Sequence, residues 1–363
     1  MKNTFGNSIT VTLFGESHGE AIGAVIDGIA PGIKIDCEYI KSKLAQRQSG
    51  SDISTPRKEA DIPRFLSGIK NGYTEGTPIA LIIENTDVKS SAYADISETP
   101  RPSHADYTAE MKYHGFQDKR GGGHFSGRIT AAFVAAGAIL SSALEAKGIK
   151  IGTHIKSLHD IKDRNFENLI DDIDYLKKKI IPVLDDDCAE NMYKRILDAK
   201  RECDSVGGIL ETAIIGVEAG IGEPWFDTVE GVLSHILFSI PGVKGVEFGD
   251  GFATAKMLGS EANDPFGIKN GKIVTDKNSS GGINGGITNG MPIIIRTAVK
   301  PTPSIARVQK TVNIADMTDT EISIKGRHDP AIIHRARAVV DAACAIAIAD
   351  LLSTRYGTDY LAN

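Results

Sequence analysis

Apolar runs of strand length and of helix length follow one another along this chain without a regular βαβ beat. Strand-like runs stand at residues 9–13, 21–29, 78–83, 150–155, 208–217, 245–258, 272–274 and 292–300. Helical runs stand between them. One runs from an N-cap at Asp36 to about Arg47. A second, rich in Ala and Leu, covers 127–147 and stops at Gly148. Charged amphipathic helices are expected at 165–179 and 189–202, and another helix at 228–239. A long apolar helix opens at Asp329-Pro330 and runs to about Leu352, with Asp as N-cap and Pro in the first turn. This mixture predicts an α+β fold of helices layered with antiparallel sheets, not a doubly wound parallel sheet. No fixed-period repeat divides the chain.

Composition narrows the function classes. The 41 basic residues against 47 acidic ones leave a net charge of −6, which disfavours a general nucleic-acid binder. No stretch is read as reaching the roughly 20 apolar residues that span a bilayer, and no signal peptide is expected. Cys37, Cys188, Cys203 and Cys344 form no C-x-x-C pair and are read as reduced core thiols of a cytoplasmic protein. No metal site is expected, because the histidines are not at ligand spacing. The 38 glycines cluster, which points to loops shaped around ligands. Segments 46–63 and 84–102 lack periodicity and are read as long functional loops, the first exposed.

Six segments carry chemistry. Gly15-Glu16-Ser17-His18-Gly19 follows the first strand-like run. It reads either as a nucleophile elbow built on Ser17 or as a loop exposing His18 as a proton donor. An elbow needs a helix directly after its serine. The β-branched run after Gly19 favours a strand, so the histidine reading is the stronger. Arg101-Pro102-Ser103-His104-Ala105-Asp106-Tyr107-Thr108 packs a cation, an imidazole and a carboxylate into one turn. Arg120-Gly121-Gly122-Gly123-His124-Phe125-Ser126-Gly127-Arg128 runs into the N-terminus of the 127–147 helix, where free N–H groups attract anions. It is neither a Walker A loop nor a dinucleotide fingerprint. Asn278 to Gly286 is dense in small residues that let a flat ligand approach, or is a plain turn. Lys300-Pro301-Thr302-Pro303-Ser304 then offers a cation and hydroxyls to a phosphate. Last, Gly326-Arg327-His328-Asp329-Pro330 precedes His334 and Arg335. With Arg47 and Arg57, these segments gather cations within an acidic chain, which implies a small, multiply anionic ligand.

In order and at spacing, these segments resemble the chorismate synthase family from about residue 5 to residue 350. Glu84-Asn85-Thr86-Asp87, Val243-Lys244-Gly245-Val246-Glu247 and Lys300-Pro301-Thr302 add to the likeness. The resemblance implies one domain over 1–363, a β-α-β sandwich and a homotetramer. It implies the 1,4-elimination of phosphate from 5-enolpyruvylshikimate 3-phosphate to give chorismate, with reduced FMN and no net redox change. By the same resemblance His18 protonates the departing phosphate, His104 adjusts flavin protonation, and Asp329 relays a proton near flavin N5. FMN is expected at His124, Phe125, Ser126, Pro241, Gly242, Gly285, Lys300, Pro301, Thr302, Pro303, Ser304 and Arg327. Arg47, Arg57, Arg128 and Arg335 are expected to meet substrate or NADPH. Many members carry an arginine after the glycine at position 50. Here Ser51 stands there, so that contact is missing or falls to Arg57. Many also carry an arginine where His124 stands. NADPH is expected only as an indirect reductant, through a separate flavin reductase. The alternatives are a flavin or phosphometabolite binder without turnover and a serine hydrolase through Ser17.

Overall fold

A computed structural model describes residues 2–48, 52–54, 59–86, 98–324 and 329–362. The first sheet holds β1 (Thr4–Phe5), β2 (Thr10–Gly15), β3 (Ala21–Asp27), β4 (Arg64–Phe65) and β5 (Ile79–Glu84), in the order β1-β2-β3-β5-β4. All its pairings are antiparallel. Ile22, Ala24 and Ile26 sit opposite Ile83, Leu81 and Ile79, and all six are buried. The two-residue period of a strand therefore puts one continuous apolar face inward. The second sheet holds β6 (Lys150–Leu158), β7 (Ile161–Lys162), β8 (Gly208–Ile215), β9 (Val243–Phe248) and β10 (Ile293–Val299), in the order β9-β10-β8-β6-β7, again antiparallel. Along β10, Ile293, Ile295, Thr297 and Val299 are the buried alternates.

The helices in chain order are α1 (Cys37–Arg47), α2 (Asp106–Tyr113), α3 (Thr130–Ala146), α4 (Leu169–Leu176), α5 (Asp186–Arg201), α6 (Val229–Ser239) and α7 (Ile333–Tyr356). Two of them fill the space between the sheets: α3 packs on β3 of the first sheet and α7 on β6 and β8 of the second, with α1 and α6 beside them. Alanine and glycine let α3 and α7 cross closely. A Cβ placed on Gly137 would lie 2.4 Å from that of Ala342. Both helices are buried over most of their length, which is what an apolar helix without a polar face requires. The α+β expectation of helices between antiparallel sheets is met. The segment 127–146 is in fact long and apolar enough to cross a membrane by composition, contrary to the sequence reading. Most of it lies buried inside the fold, at the centre of the sandwich.

Polar ties fix the layers. The Asp350 carboxylate on α7 accepts the N–H groups of Asn7, Ser8 and Ile9 and anchors the start of the first sheet. Arg337 donates to the carbonyls of Leu176, the last residue of α4, and of Lys179 in the turn beyond it.

Several local expectations are corrected. α4 covers less than the predicted 165–179. The predicted strand at 245–258 ends at Phe248 and gives way to a 3₁₀ turn at Gly251–Lys256, where Glu247 accepts the Phe252 N–H. Asp329 is not an N-cap. α7 begins at Ile333, because the Pro330 carbonyl is taken by the Val206 N–H from a distant loop. Among the described residues of 46–63, Ile53, Ser54 and Asp61 are buried, not exposed. Of the four cysteines only Cys344 is in the core; Cys37 and Cys203 are exposed.

Candidate active site

A cavity of about 1020 Å³ opens where the N-terminal ends of α3 and α7 meet the C-terminal end of α6 and the first sheet. Single small-molecule sites occupy roughly 300–1,000 Å³, so this one has room for two ligands side by side. One wall is the segment before α3, with His124, Phe125 and Ser126. The Ser126 hydroxyl accepts the Arg128 N–H and caps the first turn. The His124 Nδ1–H donates to the Gly15 carbonyl at 2.8 Å, and Phe125 packs edge-on against Tyr113. The facing wall carries Pro241 and Gly242 after α6 and the run from Lys300 to Ser304 after β10. Burial and the neighbouring Lys244 pull the Lys300 ammonium below its ordinary value. Lys300 Nζ donates to the Ser103 carbonyl, and Lys244 lines the same cavity. The buried Thr302 Oγ1 and Arg335 Nε have no hydrogen-bond partner among the described residues. Both belong to residues of the cavity lining, and buried polar atoms without partners are costly unless a ligand meets them.

Three arginines from three elements reach the same cavity. Arg47 ends α1, Arg128 precedes α3, and Arg335 lies in the first turn of α7. The first two are buried and share one carboxylate. Arg47 meets Asp61 at 2.8 Å and donates to Thr130 Oγ1 at 2.9 Å. Arg128 meets the other Asp61 oxygen, Glu59 at 3.0 Å and the Asn85 side chain at 2.8 Å. Burial lowers the Arg47 guanidinium to about 10, opposed by Asp61 and reinforced by Arg335 and Arg128. Guanidinium groups this deep need counter-charges, and the chain supplies them. Arg335 pairs with Asp329 at 2.6 Å.

At the other side of the cavity His104 is held from behind. Its Nδ1 lies 2.8 Å from Asp106 Oδ1, and Arg101 grips Asp106 through Nε at 2.8 Å and NH2 at 2.7 Å.

The family model for chorismate synthase matches residues 9–353 of this chain. A chorismate synthase of Pyrococcus abyssi is 47% identical over 350 residues, spanning 96% of this chain and 97% of its own. One of Methanosarcina barkeri is 46% identical over 351 residues, at 96% and 95% coverage. A crystal structure of chorismate synthase superposes with a TM-score of 0.76 at 30% identity, covering 97% of this chain and 94% of that one. The chain belongs to the chorismate synthase family. With membership comes the family's activity, a lyase reaction of the shikimate pathway.

Within this chorismate synthase fold, most residues singled out from the sequence converge. His104, Asp329, Arg47, Arg128 and Arg335 line one cavity with His124 to Ser126, Pro241, Gly242 and Lys300 to Ser304. Arg57 and Arg327 lie outside the described residues. Gly285 does not line the cavity; it sits in the turn of a small hairpin, Ile283–Asn284 with Ile287–Thr288. His18 is not exposed, as the sequence reading expected, but buried beneath the glycine loop. The ideal Cβ of Gly121 would lie 2.0 Å from the His18 Cε1, and the Ser17 N–H donates to the Gly123 carbonyl. Ser17 is wholly buried and a strand, not a helix, follows it. The elbow reading fails on both counts.

Glu59, Asp61 and Asn85 were missed as site residues. Asn85 lies in a family-like run, but the two acids sit in a segment read as an exposed loop. Their only sequence signal is the spacing Glu59-Ala60-Asp61 within a stretch that also holds basic residues.

Proposed function

We propose that the cavity binds 5-enolpyruvylshikimate 3-phosphate beside reduced FMN and eliminates phosphate to form chorismate. One observation carries this reading: a cavity large enough for two ligands draws Arg47, Arg128 and Arg335 to the same space as Lys244 and Lys300. A phosphate and two carboxylates on the substrate, with a further phosphate on FMN, match that charge. Lys244 and Lys300, Thr302 and the walls at Phe125 and Pro241 suit FMN. When bound, reduced flavin lends electron density to the substrate without being consumed.

The chain's own residues do the rest. Arg335, held by Asp329, offers its guanidinium to the substrate anions from the cavity wall. Arg47 and Arg128, balanced by Asp61 and Glu59, form a fixed polar floor. His104 handles a proton at the wall of the cavity. His18, with Gly121 against its ring, reaches a ligand in the cavity only when that loop shifts, and then protonates the leaving phosphate. FMN is reduced elsewhere, by a separate reductase drawing on NADPH, and the enzyme works as a homotetramer in the cytoplasm.

Anaerobic incubation with reduced FMN and 5-enolpyruvylshikimate 3-phosphate is expected to release chorismate and phosphate in equal amounts. Flavin binding without product would overturn the reading in favour of a binder. His18→Ala is expected to abolish turnover with FMN still bound, and a wild-type rate would remove His18 from the chemistry.

A further inference from the structure

We propose that Asp106, clamped by Arg101, is the positioning residue that sets the tautomer and aim of His104. The inference rests on the reading that His104 handles a proton in the cavity.

The geometry leaves one consistent arrangement of hydrogens. Asp106 Oδ1 and His104 Nδ1 are 2.8 Å apart, and a carboxylate oxygen can only accept. A bare Nδ1 at that distance would set two lone pairs against each other. Nδ1 therefore carries the hydrogen and donates it. The Arg101 NH2 lies 3.0 Å from the same Nδ1, but it donates to Asp106 Oδ1 at 2.7 Å, so both donors share one acceptor. The second oxygen, Oδ2, accepts from Arg101 Nε and from the Arg101 backbone N–H. Each carboxylate oxygen thus meets two donors, and the group has no freedom to rotate.

Asp106 is also the first residue of α2, where the helix dipole favours a negative charge. Burial pushes its carboxyl up, but hydrogen bonds from Arg101 and His104 outweigh that and hold it well below the usual carboxylate range. It stays ionised and carries no proton itself. On the far edge of the ring, Nε2 makes no hydrogen bond to any described residue and lies on the side of Gly122, whose missing side chain leaves that edge uncrowded. With Nδ1 occupied, Nε2 is the one ring position left to exchange a proton with a ligand. Orienting partners of this kind act through the residue they hold.

The decisive measurement needs no substrate. Solid-state ¹⁵N spectra of histidine-labelled wild type, with the His104 signals assigned by their loss in His104→Ala, are expected to show a protonated Nδ1 and, in the neutral ring, a bare Nε2. The opposite tautomer would overturn the proposal. Asp106→Asn keeps the size of the side chain but cannot offer two acceptor oxygens. It is expected to mix the two tautomers and to lower kcat roughly 100-fold or more, the scale of a general acid–base contribution, with KM changed less than about threefold. Unchanged kcat and an unchanged tautomer in the folded variant would overturn the proposal. A wild-type rate in His104→Ala would instead sink the reading of the site, and the tautomer measured in wild type tells the two failures apart.

Discussion

Two glycine-rich segments look alike in this sequence and do different work. Gly121 and Gly122 pack against histidines, while Gly123 beside them meets the Asp118 backbone. The ideal Cβ of Gly121 falls 2.0 Å from the His18 ring, and that of Gly122 falls 3.5 Å from His104. The segment from Asn278 to Gly286 meets its own chain. The ideal Cβ of Gly281 would stand 2.4 Å from the Gly249 nitrogen, and the Asp264 carboxylate takes the N–H groups of Ser279 and Ser280. Glycine density therefore reports a close approach and not what approaches. At Gly121 and Gly122 of the first loop a histidine ring comes near; at Gly281 of the second, two backbones cross.

The comparison breaks most sharply at Gly121. It has φ of +59°, and alanine there meets the buried imidazole directly. Gly121→Ala is expected to lower kcat on the order of 100-fold, because displacement of a reacting group by about 1 Å has that consequence. FMN affinity, read by quenching of flavin fluorescence, is expected to change little. An unaltered rate would show that the His18 ring can retreat without loss and that this loop is as purely structural as the other.

Gly281→Ala tests the opposite end. Its φ is +64°, and the clash is with backbone that cannot step aside. The expected cost is about 2–4 kcal/mol of stability, seen as a lower urea midpoint, with kcat per folded molecule within twofold of wild type. A specific loss of FMN binding in a stable variant would restore a ligand role to this segment.

What could be read from the sequence divides along the same line. Strands such as Ile293–Val299 and the helices α1 and α3 were legible because their patterns are local: a two-residue period, an N-cap at Asp36 that accepts the Tyr39 N–H, a glycine stop at Gly148. The gathering of His104, Arg47, Arg128 and Arg335 was legible only through the ordered motifs. Features set by contacts across long stretches of chain were not. Asp329 looks like an N-cap until Val206 claims the Pro330 carbonyl and Arg335 claims the carboxylate. Asp61 looks like loop acid until two arginines from α1 and the start of α3 close on it. His18 looks exposed because nothing within the first 20 residues says that a loop a hundred residues later will cover it.

The smallest effect is expected at Gly285, and it sharpens the comparison because the family resemblance and the fold point in different directions there. The resemblance gives Gly285 to FMN, yet the residue lies in a hairpin turn away from the cavity lining. Among the described residues beyond its chain neighbours, no atom lies within 4 Å of its ideal Cβ, so alanine would pay only for the left-handed backbone at φ +61°. That strain amounts to ~1 kcal/mol. If the turn only closes the hairpin, Gly285→Ala lowers the melting temperature by a few degrees and leaves the FMN dissociation constant unchanged. A dissociation constant raised tenfold at constant stability would mean that flavin reaches this turn from outside the cavity of its own chain. The proposed homotetramer would then supply that contact from a neighbouring subunit, and mixing Gly285→Ala with an inactive Arg335→Ala protein would recover activity in the hybrids.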